Sequence, residues 1–199
     1  MNTPNKLTVA RVLLVPVMSL FILASNIPHN YLWAGLIFGL ASLTDYFDGK
    51  IARSRNLITD FGKLADPVAD KLLVAAAIIC FIEKGLCSSW VLIIVLAREF
   101  AVTSMRMVAA SKGRVIAANM WGKVKTVSQM IAIIAIFVFR WALQLIESGL
   151  LGQGALGMLD VLTKWVDVLG AIFLWITAAL TLISGIVYIV QNKDVIDNM

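Results

Sequence analysis

A bundle of about six membrane-crossing helices is the fold class this sequence predicts, and three observations predict it. Hydrophobic residues make up 60% of the 199 positions, with a mean hydropathy of +0.90. Soluble domains sit near about 45–50% apolar, and a soluble protein of this size has no core large enough to hide the excess. Apolar runs long enough to cross a ~30 Å hydrocarbon layer recur over 7–25, 31–52, 66–85, 89–110, 121–146 and 166–190. Finally, Lys and Arg collect in alternate connections, as they do in multi-pass membrane proteins.

The first run follows Lys6 and Arg11 and extends from Val12 to Ala24. That layout resembles a signal peptide, but no small-x-small cleavage site follows, so the run reads as a retained first helix. The breaks between runs fall at Asn26–Asn30, Arg53–Gly62, Glu83–Ser89, Ser111–Ala118 and the glycine-rich Ser148–Lys164. Leu150, Leu151, Leu156, Leu159 and Trp165 place the 148–165 stretch in the membrane interface. No linker, low-complexity tract or internal repeat divides the chain, so residues 1–199 read as one domain.

Charge sets the orientation. With a cytoplasmic N-terminus, thirteen basic residues lie inside: Lys6 and Arg11; Lys50, Arg53, Arg55, Lys63 and Lys71; Arg106, Lys112, Arg114, Lys123 and Lys125; and Lys193. Outside are Lys84, Arg140 and Lys164, while Arg98 falls within a span. Thirteen against three places both termini in the cytoplasm. The balance of 17 Lys+Arg against 12 Asp+Glu, a net +5, suggests anionic lipid or a phosphorylated substrate rather than nucleic acid in a lipid-embedded chain. Cys80 and Cys87 fit neither a zinc spacing nor a disulfide framework and read as small hydrophobes. His29, beside Pro28 and Asn30, reads as a turn residue.

Polar residues inside membrane spans are costly to hold there and usually functional. The second run ends in Thr44-Asp45-Tyr46-Phe47-Asp48-Gly49-Lys50-Ile51-Ala52-Arg53, and the third opens Gly62-Lys63-Leu64-Ala65-Asp66-Pro67-Val68-Ala69-Asp70-Lys71. At ~100° per residue, Asp45, Asp48, Gly49 and Ala52 share one helix face, and Asp66 and Asp70 share a face of the next. A short connection makes the two helices neighbours whose acidic faces can converge. Four carboxylates in one low-dielectric pocket repel unless cations neutralise them. Hard oxygen donors in this number suit two Mg²⁺ or Mn²⁺ ions and disfavour zinc.

Blander readings stand beside this one. Gly49, Ala52 and Gly62 can serve close helix packing as well as admit a bulky ligand. Asp66-Pro67 has the form of an N-cap followed by proline at the first helical position. The acids can also pair with Arg53, Arg55, Lys63 and Lys71, although they share faces with each other rather than alternating with bases.

The run Asp45-x-x-Asp48-Gly49-x-x-Ala52-Arg53, eight residues, Gly62, three residues, Asp66, three residues, Asp70 resembles the signature of the CDP-alcohol phosphotransferases at all eight fixed positions. Asn5-Lys6-Leu7-Thr8-Val9-Ala10-Arg11 with Pro16, Ala97-Arg98-Glu99-Phe100 with Arg106, and Gly122-Lys123-Val124-Lys125-Thr126 resemble the bacterial branch that acts on glycerol 3-phosphate. The 148–165 connection is the least family-like part. The resemblance implies six transmembrane helices around a polar cavity open to the cytoplasm, usually as a homodimer in the bacterial cell membrane. It implies that Asp45, Asp48, Asp66 and Asp70 hold two divalent ions. Asp48, Gly49, Ala52, Arg53 and Gly62 would cradle the cytidine and its phosphates, and Asp70 would be the general base. The implied reaction moves a phosphatidyl group from CDP-diacylglycerol to glycerol 3-phosphate, giving phosphatidylglycerol phosphate and CMP.

The acceptor turns on whether a second phosphate is expected. Arg98 inside a span needs an anionic partner, and Glu99 as an i,i+1 neighbour should point elsewhere on the helix. A phosphate held by Arg98, Arg106, Lys123 and Lys125 fits, with Arg11 a weaker candidate, whereas Lys112 and Arg114 read as ordinary positive-inside charge. This points to glycerol 3-phosphate, with inositol phosphate as runner-up, and away from serine. Ser42 and Thr44 lie near the site without an evident base partner, so a covalent nucleophile is not expected. The rival class is a divalent-cation transport protein, which would spread its carboxylates along a pore rather than gather them at one boundary.

Overall fold

The computed structural model describes residues 3–54, 60–113, 116, 119–149 and 157–193; for residues 3–4, 45–54, 60–67 and 70 the backbone alone is described. Among these residues there are six long helices and no strand: α1 (Thr3–Leu23), α2 (Asn30–Ser54), α3 (Asp60–Glu83), α4 (Ser89–Ser111), α5 (Met120–Glu147) and α6 (Leu159–Gln191). At ~1.5 Å per residue every one of them reaches about 30 Å. Among the described residues, α1, α5 and α6 are also apolar enough to count as candidate membrane spans, and α2 has a shorter apolar stretch over Asn30–Thr44. The remaining lengths of α2, α3 and α4 carry the acids and arginines of the motifs, which lowers their hydropathy where function is expected.

The burial pattern of α1 shows how the bundle is assembled. Asn5, Thr8, Arg11, Val15, Met18 and Ile22 are buried at i, i+3, i+6, i+10, i+13 and i+17, a single stripe, while Leu13, Val17 and Leu20 are exposed. The stripe faces α2 and α3. It is apolar at the Leu23 end and polar at the other, and Arg11, wholly buried, donates from Nε to the Ala41 carbonyl of α2 at 3.3 Å.

Helix α5 packs against α2 and α6, and α4 against α3 and α6. Phe137 of α5 lies between Phe38 of α2 and Phe81 of α3, with ring centroids 5.9 and 5.3 Å away. Glycine permits the approach on both sides of α5. A Cβ on Gly35 would come within 3.2 Å of Phe137, and one on Gly170 within 3.2 Å of Ile136. Hydrocarbon chains solvate leucine as well as other leucines do, so contact density rather than apolar burial holds such helices together. A second, smaller cluster of Val102, Met105 and Tyr188 joins α4 to α6.

Two boundaries differ from the sequence reading. Helix α3 begins at Asp60, so Asp66-Pro67 is not a cap and lies inside the helix, where proline forgoes the bond to the carbonyl of residue 63. Interior prolines are tolerated in membrane helices because neighbours satisfy the freed group; Pro16 of α1 is another case. Helix α6 begins at Leu159 rather than near 166, because Asp160, Thr163 and Lys164 extend the helix beyond its apolar run. Of the 148–165 stretch assigned to the interface, residues 150–156 lie outside the described residues. Turns fall where expected. His29 takes φ +54 before α2. Gly85, at φ +71, ends α3 in a left-handed cap, with Leu86 N–H donating to the Phe81 carbonyl at 2.8 Å.

Candidate active site

Backbone helix runs unbroken through Asp45, Asp48, Gly49, Ala52 and Arg53 at the end of α2, and through Gly62, Asp66 and Asp70 at the start of α3. The two helices touch, so the i,i+3 and i,i+4 spacings of the acids apply to adjoining helical segments. The side chains of these eight residues lie outside the described set, and the expected convergence of the four carboxylates rests on the spacing alone. The hydroxyls near them are described. Ser42 donates to the Phe38 carbonyl at 2.8 Å and Thr44 to the Ala41 carbonyl at 2.6 Å. Both are engaged by carbonyls of their own helix.

Immediately after Asp70, Lys71 begins a cluster of charge that spans three helices. Its centre is Glu99 of α4. Lys125 of α5 donates to Glu99 Oε1 at 2.6 Å, Arg98 Nη1 donates to the same oxygen at 3.0 Å, and Lys71 Nζ stands 3.9 Å from Oε2. Arg98 Nη2 donates to Ser184 Oγ of α6 at 2.7 Å. This corrects the expectation that Arg98 and Glu99, as i,i+1 neighbours, could not meet. Their Cβ atoms do diverge, but the guanidinium lies at the end of a long flexible stem and reaches back to the carboxylate. Glu99 thus ties cations of α3, α4 and α5 to one carboxylate beside the acid-bearing ends of α2 and α3.

The four basic residues assigned to a phosphate differ in setting. Lys125 is 4% exposed and Arg98 largely buried, both tied to Glu99, whereas Arg106 and Lys123 are exposed. Arg106 donates from Nε to the Tyr188 hydroxyl at 3.1 Å, and its guanidinium carbon lies 5.4 Å from the Tyr188 ring centroid. Lys123 is in the first turn of α5, which Asn119 caps by accepting from the Gly122 N–H at 2.8 Å. A cavity of about 50 Å³ is bordered by Lys71, Glu99, Lys125 and Gln129. Gln129 is 2% exposed, and its Nε2 has no hydrogen-bond partner among the described residues. The cavity is large enough for water but not for a substrate.

A cavity of about 630 Å³ lies elsewhere: Asn30, Tyr31, Arg140, Gln144, Asp160 and Lys164 line part of it. Asn30 is eighteen residues, or ~27 Å along α2, from Asp48. Its described lining thus lies toward the opposite end of α2 from the acids.

Glu99, Ser184 and Tyr188 contact the candidate basic residues, and the sequence reading assigns none of the three. Glu99 stands in the Ala97-Arg98-Glu99-Phe100 stretch, where i,i+1 geometry argues against its meeting Arg98. Ser184 and Tyr188 carry no motif; their signal is a polar atom within a long apolar helix.

Among the described residues the chain is an all-helical bundle with long apolar helices and with acids on two adjoining helices, the build of a membrane protein. A profile of the CDP-alcohol phosphatidyltransferase family matches residues 1–183, and the chain belongs to that family of transferases. It is 37% identical to a Bacillus subtilis (strain 168) protein named CDP-diacylglycerol–glycerol-3-phosphate 3-phosphatidyltransferase, over 97% of this chain and 96% of that protein. Proteins of the same name from Rickettsia felis (39%, over 94% of this chain and 93% of that protein) and Pseudomonas fluorescens (35%, over 95% and 89%) are similar to it as well.

Proposed function

We propose that this chain transfers the phosphatidyl group of CDP-diacylglycerol to glycerol 3-phosphate, giving phosphatidylglycerol phosphate and CMP. The observation that carries the acceptor choice is Arg106, exposed and engaged at Nε by Tyr188, with Lys123 also exposed at the start of α5. An acceptor with its own phosphate supplies an anion for these two exposed cations. The names of the relatives support the same reaction.

In this reading Asp48, Gly49, Ala52, Arg53 and Gly62 receive the cytidine and its phosphates, and Arg106, Lys123 and the Arg98–Lys125 wall receive the acceptor's phosphate. The acceptor hydroxyl oxygen bonds to the phosphorus bearing the diacylglycerol. The bond from that phosphorus to the bridging oxygen breaks, CMP leaves with the electron pair, and Asp70 takes the hydroxyl proton. The donor set of Asp45, Asp48, Asp66 and Asp70, all hard carboxylate oxygens, fits two Mg²⁺ or Mn²⁺ ions, which when bound neutralise pyrophosphate charge and polarise the phosphoryl group. Six membrane crossings, cytoplasmic termini and site, location in a bacterial cell membrane and a homodimeric assembly complete the proposal, supported by the helix lengths, the basic-residue asymmetry and the family. Inositol phosphate would satisfy the same cluster and is the alternative acceptor.

The test is CMP release by the purified protein in micelles containing CDP-diacylglycerol and Mg²⁺. Release with glycerol 3-phosphate but not inositol phosphate, and its loss in Asp70→Asn with CDP-lipid binding kept, is the expected result. Release with inositol phosphate alone moves the acceptor. No release with either, alongside Mg²⁺ flux through liposomes, returns the transport reading.

A further inference from the structure

The end of α6 carries three polar contacts on one face. Ser184 accepts from Arg98 Nη2 at 2.7 Å, Tyr188 accepts from Arg106 Nε at 3.1 Å, and Gln191 accepts from Asn119 Nδ2 at the longer distance of 3.5 Å. Positions 184, 188 and 191 are i, i+4 and i+7, one stripe of the helix. Their partners are the two arginines of α4 and the residue that caps α5 ahead of Lys123. Gly185 completes the seat: a Cβ there would stand 3.0 Å from Arg98 Cγ, and one on Gly122 3.5 Å from Arg98 Nη2. Arg98 therefore fits a slot between the two glycines, with both Nη nitrogens donated to protein oxygens.

Arg106 is held differently. Tyr188, 1% exposed and packed with Val102 and Met105, engages Nε and offers its ring to the guanidinium. The side chain of Arg106 is exposed, and among the described residues its two Nη nitrogens donate to nothing. A guanidinium fixed at Nε with its Nη pair outward is the fork that grips two phosphate oxygens at once. Arg98 is thus a fixed wall of the acceptor's site, and Arg106 is the arginine whose Nη pair is presented to the ligand.

We infer that Tyr188 is a positioning residue for the acceptor's phosphate, acting through Arg106 from a polar stripe on α6 that no motif marks. The inference rests on the proposed acceptor reading. Pre-orienting a flexible cation spares binding the entropy of ordering it, so loss of the hydroxyl appears as weaker acceptor binding with the CDP-lipid unaffected.

The experiment is steady-state kinetics on full-length wild type, Tyr188→Phe, Arg106→Ala and the double variant, in micelles with both substrates varied, together with thermal midpoints. Tyr188→Phe keeps the ring and its packing and removes one oxygen. We expect its glycerol 3-phosphate KM to rise roughly ten-fold, the size of a lost hydrogen bond to a charged group, with the CDP-diacylglycerol KM and the midpoint unmoved. In the Arg106→Ala background the same change should add nothing. If Arg106→Ala raises the acceptor KM but Tyr188→Phe does not, or if their effects multiply, the inference fails and the acceptor reading stands. If neither variant moves the acceptor KM, both are overturned.

Discussion

Glu99 shows how much one carboxylate can organise. Three cations from α3, α4 and α5 converge on its two oxygens, and the Lys125 ammonium that gives it the shortest contact is almost wholly buried. Such pairs add little net stability over apolar packing, but removing one partner strands the others. Glu99→Gln keeps the shape and deletes the charge that Lys71, Arg98 and Lys125 share. A buried pair broken in this way costs about 3–5 kcal/mol, and the partial exposure of this one brings our expectation down to about 2 kcal/mol. The thermal midpoint of the purified variant in micelles should fall by several degrees; a midpoint equal to wild type would show that the cluster is not coupled through Glu99.

At the scale of elements, α6 changes character along its length. Its buried stripe begins with Gly170 and Leu174, passes through Thr177, Ala178 and Thr181, and ends in Ser184, Gly185 and Tyr188. Thr177 and Thr181 return their hydroxyls to carbonyls one turn back, at 3.0 and 2.7 Å, so the polar residues in mid-span are satisfied within the helix. Beyond them Ser184 and Tyr188 accept hydrogen bonds from another helix instead. Packing and function meet at Gly185, which a side chain would push against Arg98. Gly185→Ala should shift Arg98 by a few tenths of an ångström. Overpacking of this kind costs about 1–3 kcal/mol, which should lower the midpoint. Gly39, beside which a Cβ meets nothing, is the control; equal midpoints for Gly185→Ala and Gly39→Ala would refute the close fit.

For the whole molecule, the orientation proposed from charge is open to labelling. Lys84 caps the α3–α4 connection, donating to the Leu23 carbonyl at 2.9 Å and to Ser25 Oγ at 2.7 Å, and Lys112 ends α4. The native Cys87 thiol lies in the same connection, and burial pushes it up to about 11, so little thiolate is present at neutral pH to compete for reagent. In a background with Cys80 and Cys87 replaced by alanine, Lys84→Cys in intact cells should react with an impermeant maleimide, and Lys112→Cys should react once the membrane is opened. The reverse pattern would invert the bundle.

The helices and their order were legible in the sequence because a bilayer demands about twenty apolar residues per crossing, and α1, α5 and much of α2 show that demand in composition alone. The helical setting of the acids was legible for a similar reason: Asp45 and Asp48 lie on α2 and Asp66 and Asp70 on α3, each pair at helical spacing. Helix ends were less legible, since Asp60 and Leu159 start helices in polar stretches where hydropathy gives no boundary. What the tertiary structure alone decided is the partnership of the cations. Arg98, Arg106, Lys123 and Lys125 look equivalent in sequence, yet two are tied to Glu99 in the interior and two are exposed. Ser184 and Tyr188, more than eighty residues downstream of the arginines they hold, carry no motif of their own. Composition and periodicity report what each helix needs from its solvent, whereas the charge a side chain meets depends on which helices the fold brings beside it.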